Sequence, residues 1–199
     1  MKIFIFILSS FFCFFANAQG IITVNNNTDF PADYDNLQTA IDEVEAGTVI
    51  LVAGSGINYG VLTIDKQLAI YGPGYFLGDN EEPWTQASTS TASTNAITFA
   101  DGSSGSYMAG LAVVGTISFE TVSNITIASN HLQNIYSVSG ETPSNLTIEG
   151  NYLSSNDYRI GNASGVVFRN NILNTNRVQP YFDVNFRPII FVRKQSHEK

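Results

Sequence analysis

The chain has 199 residues, of which 17 are acidic and nine are basic, and its formal net charge is −8. An acidic body repels nucleic acid and anionic membranes, and it also repels polyuronate chains unless calcium bridges the two. Cys13 is the single cysteine, which excludes an intrachain disulfide and a site built from several cysteines.

The N-terminus has the pattern of a secretory signal peptide. Lys2 gives a positive start, residues 3–15 are almost continuously apolar, and Ala16-Asn17-Ala18 fits the small-x-small cleavage pattern. A run of about 13 apolar residues is too short for a spanning helix, which needs ~20. We therefore predict a signal peptide over residues 1–18, cleavage after Ala18, a secreted or outer-surface location, and no membrane span afterwards.

An opening strand at Ile21–Asn27 is followed by one predicted helix over Asp35–Glu45. Asp33 or Asp35 is the expected N-cap, and Gly47 is placed to end the helix. The apolar stripe of the helix has the spacing i, i+3, i+4, i+7 and consists of Leu37, Ala40, Ile41 and Val44. A single helix before a run of strands is expected to cover the open end of a solenoid core.

From Thr48 onward the apolar pattern takes the period of β-strands. The predicted strands before the repeats are residues 49–52, 61–64, 68–71, 96–99, 111–114 and 116–119. Residues 79–95 interrupt this series, because they are polar, rich in Ser and Thr, and contain the single Trp. They are predicted to form a loop that projects from one coil.

Three later segments are near copies of one another: SNITIASNHL at 123–132, SNLTIEGNYL at 144–153 and SGVVFRNNIL at 164–173. Their starts lie 21 and then 20 residues apart. A period of about 20 residues with alternating apolar positions indicates a solenoid of short parallel strands.

Equivalent positions of the three repeats carry equivalent residues. The apolar pairs are Ile125 and Ile127, Leu146 and Ile148, and Val166 and Phe168, and each pair is expected to point into the core. An asparagine follows at the same place in each repeat: Asn130, Asn151 and Asn171. These three are predicted to form a structural ladder, each taking a tight-turn backbone and bonding to the adjacent coils.

The signal peptide, the single helix and the coils with their asparagines together resemble the right-handed parallel β-helix proteins of the pectin-lyase-like superfamily. Residues 30–80, with LQTAIDEVEAGTVILVA leading into LAIYGPG, are similar to the start of secreted β-helix proteins of Bacteroidetes-type bacteria. The resemblance covers residues 21–176. It implies an all-β, right-handed parallel β-helix solenoid over 19–176, in which 19–47 form the N-terminal strand and a short capping α-helix. Residues 177–199 are then a C-terminal tail, a cap or the product of truncation.

Enzymes of that superfamily act on acidic polysaccharides, which implies two kinds of chemistry. Lyases remove a proton beside a uronate carboxyl group after calcium has neutralised the substrate, and hydrolases use paired carboxylates. Either mechanism needs charged residues stacked on adjacent coils. Arg159 and Arg169 do not share a repeat position, and Glu149 can meet Asp157 only if the turns bring them together. No catalytic residue is therefore predicted.

His131 and residues 101–106 are two further candidates for parts of a site. His131 occupies the position that Tyr152 and Ile172 fill in the other repeats, which favours a core-edge or solvent-facing histidine over a catalytic one. Residues 101–106 resemble an oxygen-rich calcium turn but offer a single carboxylate. No cofactor is expected, and calcium is the one that remains possible.

The residues predicted to contact a ligand are Asp79, Glu81, Glu82, Trp84, Tyr136 and Tyr158. The first four lie in the predicted loop, where a solvated loop explains the acidic residues equally well. Tyr136 and Tyr158 belong to a set of tyrosines predicted to be exposed, together with Tyr59, Tyr107 and Tyr152. Exposed rings of this kind can stack on sugars, because an aromatic face suits the apolar side of a pyranose. The alternative use of these tyrosines is stacking on one another between coils.

Taken together, the sequence favours a secreted or cell-surface β-helix module without catalysis. Its expected role is binding, adhesion or display, with a polysaccharide or another surface ligand as the partner. The alternative is a fragment of a polysaccharide lyase or glycoside hydrolase acting on acidic polysaccharide, with its active coils mostly absent from this chain or contained in residues 79–82 and 149–169.

Overall fold

The computed structural model describes residues 20–74, 90–154 and 158–173. Within these ranges the chain forms a parallel β-solenoid of about five turns, with one short helix near its start. The predicted all-β solenoid with a short N-terminal helix is therefore confirmed. The signal peptide, the tail 177–199 and Asp157 lie outside the described residues.

The helix α1 spans Leu37–Glu43, and fifteen strands make up the described solenoid. In chain order they are β1 (Ile21–Val24), β2 (Val49–Val52), β3 (Val61–Ile64), β4 (Ala69–Tyr71), β5 (Ala92–Thr94), β6 (Ala96–Phe99), β7 (Tyr107–Ala109), β8 (Leu111–Phe119), β9 (Thr126–Ala128), β10 (His131–Ser137), β11 (Thr147–Glu149), β12 (Tyr152–Leu153), β13 (Tyr158–Arg159), β14 (Val167–Arg169) and β15 (Ile172–Leu173).

The described strands form two sheets in which neighbouring strands pair in parallel. Sheet A has the order β1-β2-β4-β7-β9-β11-β14, and sheet B has the order β3-β6-β8-β10-β12-β15, with β5 beside β8 and β13 beside β10. The chain crosses from one sheet to the other and back, so each coil adds a strand to both.

The predicted strand bounds agree closely with the structure over 49–52, 61–64 and 96–99. The predicted strands 111–114 and 116–119 join into the single strand β8. The sequence pattern misses β5 and β7, which have three residues each. In β5 the two buried side chains, Ala92 and Thr94, are small, and in β7 Met108 is the one buried side chain. Such short segments contain too little alternation to indicate a strand.

The core consists of side chains stacked in register from coil to coil. Sheet A contributes a continuous inward row in which every member is at most 3% exposed: Ile50, Ile70, Met108, Ile127, Ile148 and Phe168. Sheet B contributes Leu62, Ile97, Ile117 and Ile135 in the same manner. Burying one such side chain stabilises the fold by ~1.5–3 kcal/mol, so the rows join adjacent coils into one core.

The three repeat asparagines are buried and hydrogen-bond along the solenoid axis. The Oδ1 atom of Asn151 accepts the backbone N–H of Asn130 at 2.9 Å, and the Oδ1 of Asn171 accepts the backbone N–H of Asn151 at 2.9 Å. Their Nδ2 groups donate to main-chain carbonyls, such as that of Ile127 for Asn151. The side-chain amides thus satisfy buried backbone groups where the chain leaves sheet A.

The tight-turn backbone geometry lies one residue earlier than the sequence pattern predicts. The left-handed residues at the exits of sheet A are Gly110, Ser129, Gly150 and Asn170, with φ between 54° and 75°. Asn130, Asn151 and Asn171 themselves are not among the positive-φ residues. The correction follows from geometry, because the residue before the asparagine turns the chain and leaves the asparagine side chain pointing inward.

Helix α1 covers the N-terminal end of the core with its buried residues Leu37, Ala40 and Ile41. Its N-cap is Asn36, whose side chain accepts the backbone N–H of Thr39, and not the predicted Asp33 or Asp35. Asn36 is the N-cap because the helix begins at Leu37, two residues after the predicted start at Asp35. The helix ends at the C-cap Val44, three residues before Gly47.

Candidate functional site

The outward face of sheet A carries two rows of side chains that run along the solenoid axis. They alternate with the buried row on each strand, so they stand on the opposite side of the sheet. The first row is Ile21, Val49, Ala69, Tyr107, Thr126, Thr147 and Val167. The second is Thr23, Leu51, Tyr71, Ala109, Ala128, Glu149 and Arg169. We call these two rows the outer strip of sheet A.

Two tyrosines meet in the middle of this strip. Tyr71 on β4 and Tyr107 on β7 have ring centroids 5.3 Å apart and planes inclined at 34°. Tyr71 is 39% exposed, and Tyr107 is half-buried beside it. Tyr71 is in register with Ala109, and Tyr107 with Ala69, so the two rings meet diagonally across neighbouring strands and form one aromatic surface.

A charged pair closes the strip on its C-terminal side. Arg169 Nε lies 2.5 Å from Glu149 Oε2, and both side chains remain partly exposed. They occupy directly opposed positions on β14 and β11, where opposite charges attract across the ladder. Glu149 and Arg169 share the sixth position of the second and third repeats, so the alignment of the repeats is the signal that could have predicted this pair.

The electrostatics of the strip keep the Tyr107 hydroxyl protonated. Burial raises the pKa of Tyr107 above its ordinary value, and the nearby Tyr71 and Glu149 raise that pKa further. The phenol is therefore a hydrogen-bond donor at neutral pH. Glu149 on β11 stands two strands from Tyr107 on β7, so the aromatic pair and the charged pair lie on the same face of sheet A.

Of the six residues predicted to contact a ligand, Tyr136 and Tyr158 are among the described residues. Asp79, Glu81, Glu82 and Trp84 lie outside the described residues. Tyr136 is half-buried on the outward side of sheet B, in register with Ser118 and Arg159. Tyr136 and the tyrosine pair thus stand on different sheets.

Tyr158 and Tyr59 are buried, contrary to the predicted exposure. Tyr158 is 3% exposed, and its ring centroid lies 6.4 Å from that of Phe168. It stands in register with Ile135 in the inward row of sheet B, because β13 joins the sheet at that register. Tyr59 is 7% exposed and donates its hydroxyl to the Ala53 carbonyl at 2.8 Å. Neither ring offers a face to a ligand.

His131 has the register that the repeats predict. It is paired with Tyr152, which in turn is paired with Ile172, and its ring meets that of Tyr152 edge-on at 5.1 Å. Burial lowers the pKa of His131 below its ordinary value, so the imidazole is neutral at pH 7.

Sequence reasoning missed Tyr71 as a functional residue. It ends an apolar strand and precedes the Gly72-Pro73-Gly74 turn, so it reads as the last residue of a buried run. The signal that could have found it is the alternation within β4, where Ile70 is inward and both neighbours must be outward.

Among the described residues, the structure shows neither a metal-binding cluster nor a membrane-spanning helix. In residues 20–74, 90–154 and 158–173, no group of three or more His, Cys, Asp or Glu side chains is arranged to hold a metal ion. Over the same ranges, no helix has the length and apolar character that crossing a bilayer requires.

Comparison with known proteins assigns no family to this chain. No protein-family model matches it, and no curated protein or solved structure is significantly similar to it. Function therefore has to be argued from the outer strip of sheet A and from the solenoid that supports it.

Proposed function

We propose that this chain is a secreted or cell-surface β-helix module, of the pectin-lyase-like type, that binds a polysaccharide without cleaving it. The observation that carries the proposal is the outer strip of sheet A, where Tyr71 and Tyr107 form an exposed aromatic pair next to the Glu149–Arg169 pair. Aromatic rings accept the apolar faces of sugars, and charged or hydroxyl groups accept and donate hydrogen bonds to sugar hydroxyls.

The composition of the strip favours binding over hydrolysis or elimination. Glu149 is the one carboxylate in the two rows, whereas glycoside hydrolysis requires two carboxyl groups on opposite sides of the scissile bond. Its Oε2 atom accepts a hydrogen bond from Arg169 Nε, so this carboxylate already belongs to a hydrogen-bonded pair on the surface.

The function is tested with residues 19–199 as a purified protein. Binding is measured on a panel of immobilised polysaccharides that includes cellulose, xylan, mannan, pectate and alginate. The same preparations are assayed for new reducing ends and for unsaturated uronate products, with and without calcium. Retention on at least one polysaccharide without product formation is the expected result.

Two outcomes would contradict the proposal. Unsaturated product from pectate or alginate would identify the chain as a lyase, and new reducing ends would identify it as a hydrolase. Failure to bind any member of the panel would remove polysaccharide as the ligand. Export is checked separately, since secretion predicts a mature protein whose mass corresponds to a start at Gln19.

A further inference from the structure

We infer that the outer strip of sheet A is the binding site and that its ligand is a neutral, extended, β-linked glycan lying along the solenoid axis. This inference rests on the proposed function and specifies the surface and the class of sugar. It places the ligand on the face opposite to the inward row of sheet A, and not on sheet B where Tyr136 stands.

The charge distribution selects a neutral ligand. The chain has 17 acidic and nine basic residues, yet the outward positions of β1, β2, β4, β7 and β9 carry no charged side chain. At the far end of the strip, Glu149 and Arg169 compensate each other. An anionic glycan would meet the field of an acidic body with no excess positive charge on the strip, whereas a neutral glycan would not be repelled.

The shape of the strip selects an extended chain. Both rows run straight across the strands, because every pairing from β1 to β14 in sheet A stays in register. Successive strands are ~4.8 Å apart, so the distance from β4 to β11 is ~14 Å, enough for about three sugar rings. A ribbon-like β-linked chain can follow this line, whereas a coiled α-linked chain would rise away from it.

The side chains along the strip supply the contacts in the order that such a ligand requires. One ring stacks on the pair formed by Tyr71 and Tyr107, and the surface then dips at the small side chain of Ala109. Beyond the dip lie the hydroxyl of Thr126 and the carboxylate of Glu149. Arg169 holds that carboxylate in position, so its acceptor oxygens are preorganised for sugar hydroxyls.

The test measures the affinity of the purified residues 19–199 for three soluble hexasaccharides by calorimetry. Cellohexaose is the neutral extended probe, maltohexaose is the coiled probe, and hexagalacturonate is the anionic probe. We expect cellohexaose to bind most tightly. Tyr71→Ala should weaken that affinity by about tenfold or more, as expected for ~1.4 kcal/mol of lost stacking.

Two further variants distinguish contact from folding. Glu149→Gln keeps the size of the side chain and should weaken cellohexaose binding several-fold, because the neutral amide accepts weaker hydrogen bonds than the carboxylate. Phe30→Ala is the matched control, since Phe30 is an aromatic residue with 61% exposure in the loop between β1 and α1, outside the two rows of the outer strip. It should bind cellohexaose like the wild type, and thermal unfolding should show all three variants folded.

The outcomes separate the two proposals. Preference for hexagalacturonate or for maltohexaose, or unchanged cellohexaose binding by both Tyr71→Ala and Glu149→Gln, would overturn the inference while polysaccharide binding stands. Equal loss of affinity in Phe30→Ala would also overturn it, because the effect would then not be local. No binding to any probe or to the polysaccharide panel would remove the proposed function itself.

Discussion

At the scale of single residues, the coil depends on two kinds of position that ordinary side chains fill poorly. Left-handed residues border the strands of sheet A, as at Asn124 with φ 58° before β9 and at Ser129 with φ 54° after it. Gly110 is the tightest of these positions, because a Cβ atom there would lie 2.4 Å from the Gly72 carbonyl oxygen. The ladder asparagine follows the second turn and satisfies the backbone that the turn exposes.

The asparagine ladder predicts a large effect of one near-isosteric substitution. In Asn151→Leu, the buried N–H of Asn130 and the carbonyl of Ile127 lose their partners. Leucine fits this position sterically, because Leu111 is fully buried at the equivalent place one coil before Asn130. We expect a loss of at least about 2 kcal/mol, since each orphaned buried group costs ~1–3 kcal/mol.

The measurement for the ladder is urea unfolding followed by circular dichroism. Asn124→Gly serves as its control, because Asn124 is exposed and glycine accepts its positive φ. The control should stay within about 0.5 kcal/mol of the wild type. A change of similar size in Asn151→Leu would show that the ladder contributes little to stability.

At the scale of elements, the N-terminal end of the solenoid is closed by side chains that imitate a neighbouring strand. The side-chain amide of Gln38 on α1 donates to the Thr63 carbonyl at 3.0 Å and accepts the Thr63 N–H at 2.8 Å. On the other sheet, the Thr23 N–H donates to Asp33 Oδ2 and the Asn25 N–H donates to the Tyr34 carbonyl. These hydrogen bonds satisfy outward backbone groups at Thr63 on the edge of β3 and at Thr23 on the edge of β1, which opposes pairing of these edges with another chain.

The cap of β3 predicts a combined effect on stability and association. Gln38→Ala removes both hydrogen bonds to Thr63 and should cost about 0.5–1.5 kcal/mol, because Thr63 is exposed and water replaces the lost partner. It also exposes the edge of β3 and should increase concentration-dependent association, as measured by light scattering. Thr39→Ala is the control, because the helix N-cap bonds to the backbone of Thr39 and its side chain is exposed. Equal behaviour of the two variants would refute a capping role for Gln38.

The cap of β1 predicts a pH-dependent contribution. The backbone N–H and the hydroxyl of Thr23 hold the pKa of Asp33 below its ordinary value. A carboxylate with a lowered folded pKa contributes stability that is complete above its unfolded pKa, about 3.9, and is lost as the pH falls through the folded value. The wild type should therefore exceed Asp33→Asn in unfolding free energy at neutral pH, and the gap should narrow below about pH 4. Urea unfolding of both proteins from pH 3 to 7 measures this difference in unfolding free energy. A difference that does not change with pH would show that it does not come from ionisation of Asp33.

At the scale of the whole molecule, stability is transmitted through stacked rows from each coil to the next. The inward row of sheet A runs without interruption from Ile50 to Phe168, and Phe99 stacks on Phe119 at 5.4 Å in sheet B. In such a solenoid each coil contacts mainly its neighbours, so distant coils are coupled only through the coils between them.

This organisation predicts additivity of distant changes when the solenoid unfolds as one unit. Gln38 contacts β3 and Asn151 precedes β12, which is four strand spacings or ~19 Å further along sheet B. The double variant Gln38→Ala/Asn151→Leu should lose the sum of the two single effects within about 0.5 kcal/mol. A biphasic urea transition, in which each substitution shifts a different phase, would show instead that the two ends unfold independently.

Much of the fold could be predicted because equivalent positions of solenoid repeats become neighbours in the core. Ile127 and Ile148 occupy equivalent repeat positions, and the structure pairs them as neighbours in one buried row. The errors lie where a residue's environment is set by another coil. Tyr158 is predicted to be exposed but is buried in register with Ile135, and Asn36 rather than an aspartate caps α1.

The candidate site was less predictable than the fold for the same reason. Tyr71 and Tyr107 are 36 positions apart in the chain and belong to no recognisable repeat, so their contact depends on the register of β4 and β7. Glu149 and Arg169, by contrast, share the sixth position of the second and third repeats, so the repeats predict the register in which the structure pairs them.

The sequence by itself determined the period of the coil, the inward apolar positions and the buried asparagines, because each is a local pattern that recurs every 20 or 21 residues. The tertiary structure decided that Tyr71 meets Tyr107, since only the register of β4 and β7 brings them together, and it decided the contact that Glu149 and Arg169 make from their shared repeat position. The physical reason is that hydrophobic burial depends on alternation within one strand, whereas a surface site depends on the alignment of separate coils.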